Sequence, residues 1–415
     1  MGKKVRFLGL EWLRFILSIY IVLCHTLNRY PQIENFFWLR ELTSVGFFAT
    51  STFFVLSGFL MTHVYFNHDK MAESNKTFWL KRFCNLYPIH IFSLLFTVLI
   101  LIFIEWLSIQ PHGVMLTPRY VQYNTNEILD KEHLALLDVY MNNSQLFFNS
   151  LLQMFMLQAW NPLYLTFNPP LWSLSALFFF YLIFPYAATK LLKVRRIKLG
   201  LIMLFFIYLI PPIYVVINQY WGIIWTGLIQ RFPLFRLPEF LAGILCYALF
   251  REHQNQQYQL TVVYKVLLWV YIIGNFITAA LLISHRPERL WYPLLHNSLL
   301  LPAQLILVYL CALAPNLHSS FLRKWAPRLG SASLPIFALH YPLFVLWSSL
   351  EPLLSSIASH SKGSWISWLD KVGQISSSTE GYALYLLITI WICIHFQEYF
   401  VTPVRKAMLS RLAGK

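Results

Sequence analysis

Charge is scarce in this chain. Asp, Glu, Lys and Arg together make up 12% of its 415 residues, and only 17 are acidic. A water-soluble fold of this length carries about twice that share, so the composition excludes one. Long hydrophilic stretches are lacking too. The longest, 109–146 and 351–380, fall short of a folded soluble domain, so residues 1–415 read as one membrane domain that must hold any chemistry. Cysteines are few and scattered: Cys24, Cys84, Cys246, Cys311 and Cys393 form no CxxC and no His/Cys cluster. That leaves neither a metal site nor a disulfide framework. A cleaved signal is not expected, because Glu11 and Arg14 interrupt the first apolar run and no small-x-small site follows it. The net charge of +15 invites a nucleic-acid partner. None is expected, since the basic residues cluster between apolar runs instead of covering a polar face.

What is abundant is apolar surface: 58% of residues are hydrophobic and 18% aromatic. Runs near 7–27, 44–66, 88–108, 170–189, 199–218, 232–250, 263–283, 293–314, 330–350 and 381–402 have the length of membrane helices. The expectation is an all-α polytopic bundle of about ten transmembrane helices. The apolar segment 147–160 is too short to cross and reads as re-entrant or interfacial. With both termini cytoplasmic, roughly 20 basic residues lie inside and about eight outside, the bias expected of a multi-span protein. Letting 147–160 cross would turn the cluster Lys190, Lys193, Arg195, Arg196 and Lys198 outward, and the charge bias decides against it.

The first run, LEWLRFILSIYIVLCHTL, carries Arg14 and His25. Eleven residues on a helix turn through about three revolutions plus 20° and rise roughly 16 Å, so both groups share one face. Ionisable groups inside a span are costly and point to function. A guanidinium suits phosphate or carboxylate, and an imidazole suits proton transfer. Ser18, one turn beyond Arg14, falls on the same face. Lys81 and Arg82 precede Pro88, which reads as the start of the third span; they are a candidate anion contact as well as an ordinary positive-inside cluster. Asn168, Trp172 and Ser173, in NPPLWSLS, can face a polar acceptor entering from outside. Arg236 and Glu239 stand three residues apart, either as a buried ion pair or with Glu239 as a catalytic acid. His340 is a second intramembrane imidazole. In FFVLSGFL the small pair Ser57-Gly58 permits close helix approach. His133 and Asp138 match an H-x4-D acyltransferase spacing, which at that place in an outer loop reads as chance.

Taken in order, Arg14-x10-His25, FFVLSGFL, Lys81 to Pro88, NPPLWSLS, RLPEFLAG (236–243), LGSASLPIFALHYP (329–342) and Glu398…Pro403…Arg405 resemble the bacterial integral-membrane acyltransferase family 3. These are O-acyltransferases that modify sugars and other secreted molecules. The resemblance covers nearly the whole chain. It implies a core of about ten spans in the bacterial cytoplasmic (inner) membrane, and acetyl-CoA or another acyl-CoA as co-substrate with no permanently bound cofactor. Its acceptor is a carbohydrate or other hydroxyl compound. Carried over, His25 and Arg14 are catalytic: Arg14 holds the CoA donor, with Ser18, Lys81 and Arg82 beside it, while His25 activates the acceptor hydroxyl or carries the acyl group. Asn168, Trp172, Ser173, Arg236, Glu239 and His340 are the candidate acceptor contacts. Two positions depart from the family pattern: no acid follows Trp172-Ser173-Leu174, and Asn85 stands where an arginine is often found. The alternatives are a transporter or flippase of lipid-linked sugars, a multi-span acyltransferase of the other class centred on His340, and a non-catalytic scaffold. An inverted repeat would favour a transporter, and none is visible.

Overall fold

In a bilayer every backbone N–H and C=O must find its partner within the protein, which drives long apolar runs into helices. The computed structural model describes residues 6–30, 36–67, 70–107, 140–285, 290–314, 319–358 and 379–412. His133 and Asp138 lie outside the described residues. The helices are α1 (Leu8–Thr26), α2 (Phe37–Thr43), α3 (Gly46–Tyr65), α4 (Asn75–Leu107) and α5 (Asn143–Met154). Then come α6 (Trp172–Leu191), α7 (Ile197–Ile217), α8 (Ile223–Arg231), α9 (Pro233–Asn255) and α10 (Val262–His285). The last are α11 (Trp291–His296), α12 (Leu301–Leu313), α13 (Ser320–Ala358), α14 (Thr379–His395) and α15 (Thr402–Leu412), with a π-helical turn at Phe396–Val401 joining the final two. Ten stretches of the described residues are long and apolar enough to cross a membrane, as the hydropathy pattern requires. Among the described residues one pair of strands, Phe66–Asn67 and Lys70–Met71, lies between α3 and α4.

Helix α5 has 12 residues, about 18 Å, too short to cross a bilayer. Asn142 and Gln145 cap its start reciprocally, and Met156, at φ 57°, turns the chain back at its end. One sequence expectation fails here. The third span does not begin at Pro88: α4 starts at Asn75, carries Lys81 and Arg82 as helical residues, and has Pro88 in its interior. Neighbouring helices satisfy the backbone groups that an interior proline frees, so membrane helices tolerate it.

The centre of the bundle is the crossing of α3 and α9. A Cβ on Gly58 would overlap the Phe240 carbonyl, and one on Gly243 would overlap the Val55 carbonyl. The two backbones therefore touch, the close approach that small residues allow between membrane helices. Helix α1 packs along α13 and α3. Helices α7 and α10 sit at the periphery, with Ile202, Phe206, Ile210, Val263, Leu267 and Val270 exposed as a lipid-facing surface.

Candidate functional site

Two cavities lie along α1, one at each end. The first, about 280 Å³, is bounded by the start of α1 (Arg14), the end of α3 (Ser57, Leu60, Met61), α4 (Arg82, Asn85), α6 (Ser173, Tyr181), α13 (Ser331, Ser333) and the tail (Gln397, Arg405). Three guanidinium groups line it, and among its described lining residues there is no carboxylate. Arg82 donates to the Tyr65 hydroxyl at 2.5 Å, and its Nε has no partner among the described residues. Among the described residues Arg14 pairs with Glu11, at 3.4 Å. Arg405 reaches Asn85 Oδ1 at 3.3 Å. The π-helical turn holds Gln397 at this wall while Glu398 turns away to a paired contact with Arg328 at 2.7 and 2.9 Å.

The second cavity, about 470 Å³, is bounded by the end of α1 (Cys24, His25), Asn28, the start of α3 (Gly46, Phe47), Trp172, Gln230, Arg236, Tyr292 and His296. His25 is exposed to it. The imidazole of His25 stacks on His340 with centroids 5.1 Å apart, and its Nδ1 lies 2.8 Å from His340 Nε2. Thr50 and Phe337 line both cavities, so the two meet across those side chains.

Of the remaining sequence candidates, Ser173, Trp172 and Arg236 border these cavities, while Ser18, Lys81, Asn168, Glu239 and His340 do not. Ser173 borders the first cavity; Trp172 and Arg236 border the second. Ser18 turns its hydroxyl back to the Phe15 carbonyl, and Lys81 pairs with Glu73; neither lines a cavity. Asn168 donates to Ser93 Oγ and to the Ala338 carbonyl, clamping the α13 backbone two residues before His340. Arg236 and Glu239 are the ion pair, at 3.0 Å and each 1% exposed. The guanidinium also donates to the His296 carbonyl and Ser51 Oγ, both at 2.5 Å, while Tyr208 donates to the carboxylate at 2.6 Å.

Sequence reasoning passed over Gln397, Asn85, Tyr292 and His296 as lining groups, and gave Arg405 no role. Arg405 sits in a basic stretch that looks like any cytoplasmic anchor, and nothing around His296 distinguishes it from a polar helix end.

Comparison with known proteins identifies the family. The family model described as an acyltransferase domain matches residues 7–397. The acyltransferase MdmB of Streptomyces mycarofaciens is 26% identical over 202 residues, 47% of this chain and 43% of that protein. The match thus spans less than half the length of that relative. No solved structure matches the chain. A family match over residues 7–397, almost the whole helical bundle, means that this chain belongs to acyltransferase family 3.

Proposed function

We propose that the protein is a membrane O-acyltransferase that moves an acyl group, acetyl in the first instance, from cytoplasmic acyl-CoA to a hydroxyl of a carbohydrate presented on the other side of the bacterial inner membrane. One observation carries the reading: an arginine-lined cavity with no carboxylate among its described lining residues and a cavity holding an exposed imidazole meet at Thr50 and Phe337. The phosphates of CoA dock at Arg14, Arg82 and Arg405, matching the fork geometry of guanidinium to phosphate. The thioester arm runs toward Thr50 and Phe337. His25 takes the proton of the acceptor hydroxyl as its oxygen attacks the thioester carbonyl. The C–O bond forms, the C–S bond breaks, and His25 returns the proton to the departing thiolate. Trp172 and Tyr292 offer the aromatic surfaces against which a sugar ring packs.

The test is release of free thiol from acetyl-CoA by purified protein, with mass spectrometry of surface glycans from cells with and without it. The expected result is thiol release that requires an acceptor, and an acetyl increment lost on His25→Ala. Transport of a lipid-linked sugar with no thiol release, or a fully active His25→Ala protein, would overturn the proposal.

A further inference from the structure

The imidazole of His340 lines neither cavity and is fully buried, yet its ring is held on both edges. Its Nδ1 lies 2.8 Å from the Phe337 carbonyl and 3.2 Å from the Ile336 carbonyl. Carbonyl oxygens only accept, so Nδ1 must carry a proton. In a neutral ring Nε2 is then bare. That bare nitrogen is 2.8 Å from His25 Nδ1, which must therefore be the donor. One tautomer of His25 satisfies every contact: proton on Nδ1, lone pair on Nε2. His25 Nε2 has no partner among the described residues, and the ring faces the second cavity.

We infer that His340 is a positioning residue, which fixes the tautomer and ring plane of His25 so that its Nε2 lone pair is presented to the acceptor hydroxyl. This deepens the proposed reaction and rests on it for its kinetic consequences, though the tautomer itself does not. As Nε2 takes the hydroxyl proton, His25 becomes an imidazolium whose Nδ1–H already points at His340 Nε2, so the developing charge meets a ready acceptor with no ring rotation. The surrounding bonds hold that acceptor in place. Tyr385 donates to the carbonyl of His340 itself at 2.9 Å. Ser93 and Asn168 both donate to the carbonyl of Ala338, at 2.7 and 2.8 Å. Three separate segments thus fix the α13 backbone within two residues of the ring. A histidine that merely filled a core would require neither the short ring-to-ring bond nor the parallel stacking at 18°.

Purified protein with ¹⁵N-labelled histidine gives the direct test, because ring nitrogen shifts separate protonated from bare positions. The expected spectrum assigns His25 as Nδ1–H in the wild type. His340→Leu should convert His25 to a mixture of tautomers, lower kcat about 10²-fold, a loss at the low end of what positioned proton transfer contributes, and leave KM for acyl-CoA unchanged. His340→Gln, whose amide oxygen can accept from His25 Nδ1, should recover most of kcat. A wild-type spectrum with the proton on His25 Nε2 would overturn the inference even if the leucine variant failed to fold. A folded leucine variant with wild-type kcat would overturn it as well. If instead His25→Ala stays active while the Nδ1–H tautomer is found, the proposed reaction fails and the tautomer assignment stands.

Discussion

The buried pair Arg236 and Glu239 gives the sharpest stability prediction. Replacing Arg236 with methionine keeps much of the side-chain volume and removes three contacts: the 3.0 Å ion pair and the 2.5 Å bonds to Ser51 and His296. Glu239 is left with only the neutral hydroxyls of Tyr208 and Ser51 among the described residues, at 1% exposure, inside a low-dielectric interior. Removing one partner of a buried pair costs about 3–5 kcal/mol, because an uncompensated charge remains. The two charge-assisted hydrogen bonds, about 1.5–3 kcal/mol each, fall within that figure and do not add to it. Unfolding by SDS titration in mixed micelles should show this loss for Arg236→Met. The double variant Arg236→Met/Glu239→Gln should recover more than half, since the stranded charge has gone. The same pair decides between the two sequence readings of Glu239. Glu239→Gln alone should retain acyl transfer, because the carboxylate lines neither cavity. An Arg236→Met protein within about 0.5 kcal/mol of wild type, the range of a neutral surface change, would refute the reasoning. So would a double variant as unstable as the single one.

Further outcomes follow from other contacts. Gly58→Leu should prevent accumulation of folded protein, because its Cβ meets the Phe240 backbone and overpacking that cannot relax exceeds the usual 1–3 kcal/mol or so; Gly274→Leu, with open space around it, should accumulate normally, both read by fluorescence size-exclusion in detergent. Arg82→Gln and Arg405→Gln should each raise KM for acyl-CoA about 10- to 100-fold with little change in kcat, the loss of one charge-assisted contact, measured by thiol-release kinetics. Phe337→Ala should extend the acyl donors accepted toward longer chains, since its ring stands where the cavities meet; an unchanged acetyl-to-hexanoyl profile would exclude it from that role.

The spans and the Arg14–His25 register were legible in the sequence because both depend on local periodicity: run length, and rotation along one helix. The short segment at α5 was legible for the same reason. Proline misled at position 88, where the rule for soluble helices gives way to neighbours that satisfy the freed groups. His340 could be recognised as an imidazole within a span, but its partner could not, since 315 residues separate it from His25 and the pairing is made only by the packing of α1 on α13. Asn168 looked like an acceptor contact at a helix entrance, whereas the fold turns its amide inward onto the Ala338 carbonyl. Arg405 was hidden by its context, because a charge that binds a ligand and a charge that anchors a helix end have the same sequence signature.

The two cavities differ in kind, and the difference bears on how the proposed reaction divides its substrates. The first presents fixed positive charge with no carboxylate among its described lining residues, so a polyanion entering it exchanges water for guanidinium donors. The junction at Thr50 and Phe337 offers one hydroxyl and one aromatic ring, which cannot replace the hydration of a phosphate. Moving an ionised group past it would cost several kcal/mol, while a neutral thioester arm crosses with little desolvation penalty. In the proposed reaction the donor's charge therefore halts in the arginine cavity and only its uncharged reactive end advances. Beyond the junction, a neutral His25–His340 pair and an Arg236 guanidinium balanced by Glu239 at 3.0 Å leave no net charge at the reacting end, so nothing there draws the phosphates onward. In the proposed reaction, the charged cavity at one end of α1 and the uncharged one at the other, separated by Thr50 and Phe337, thus keep the donor's phosphates on one side of the junction while its transferable group reaches the reacting centre on the other.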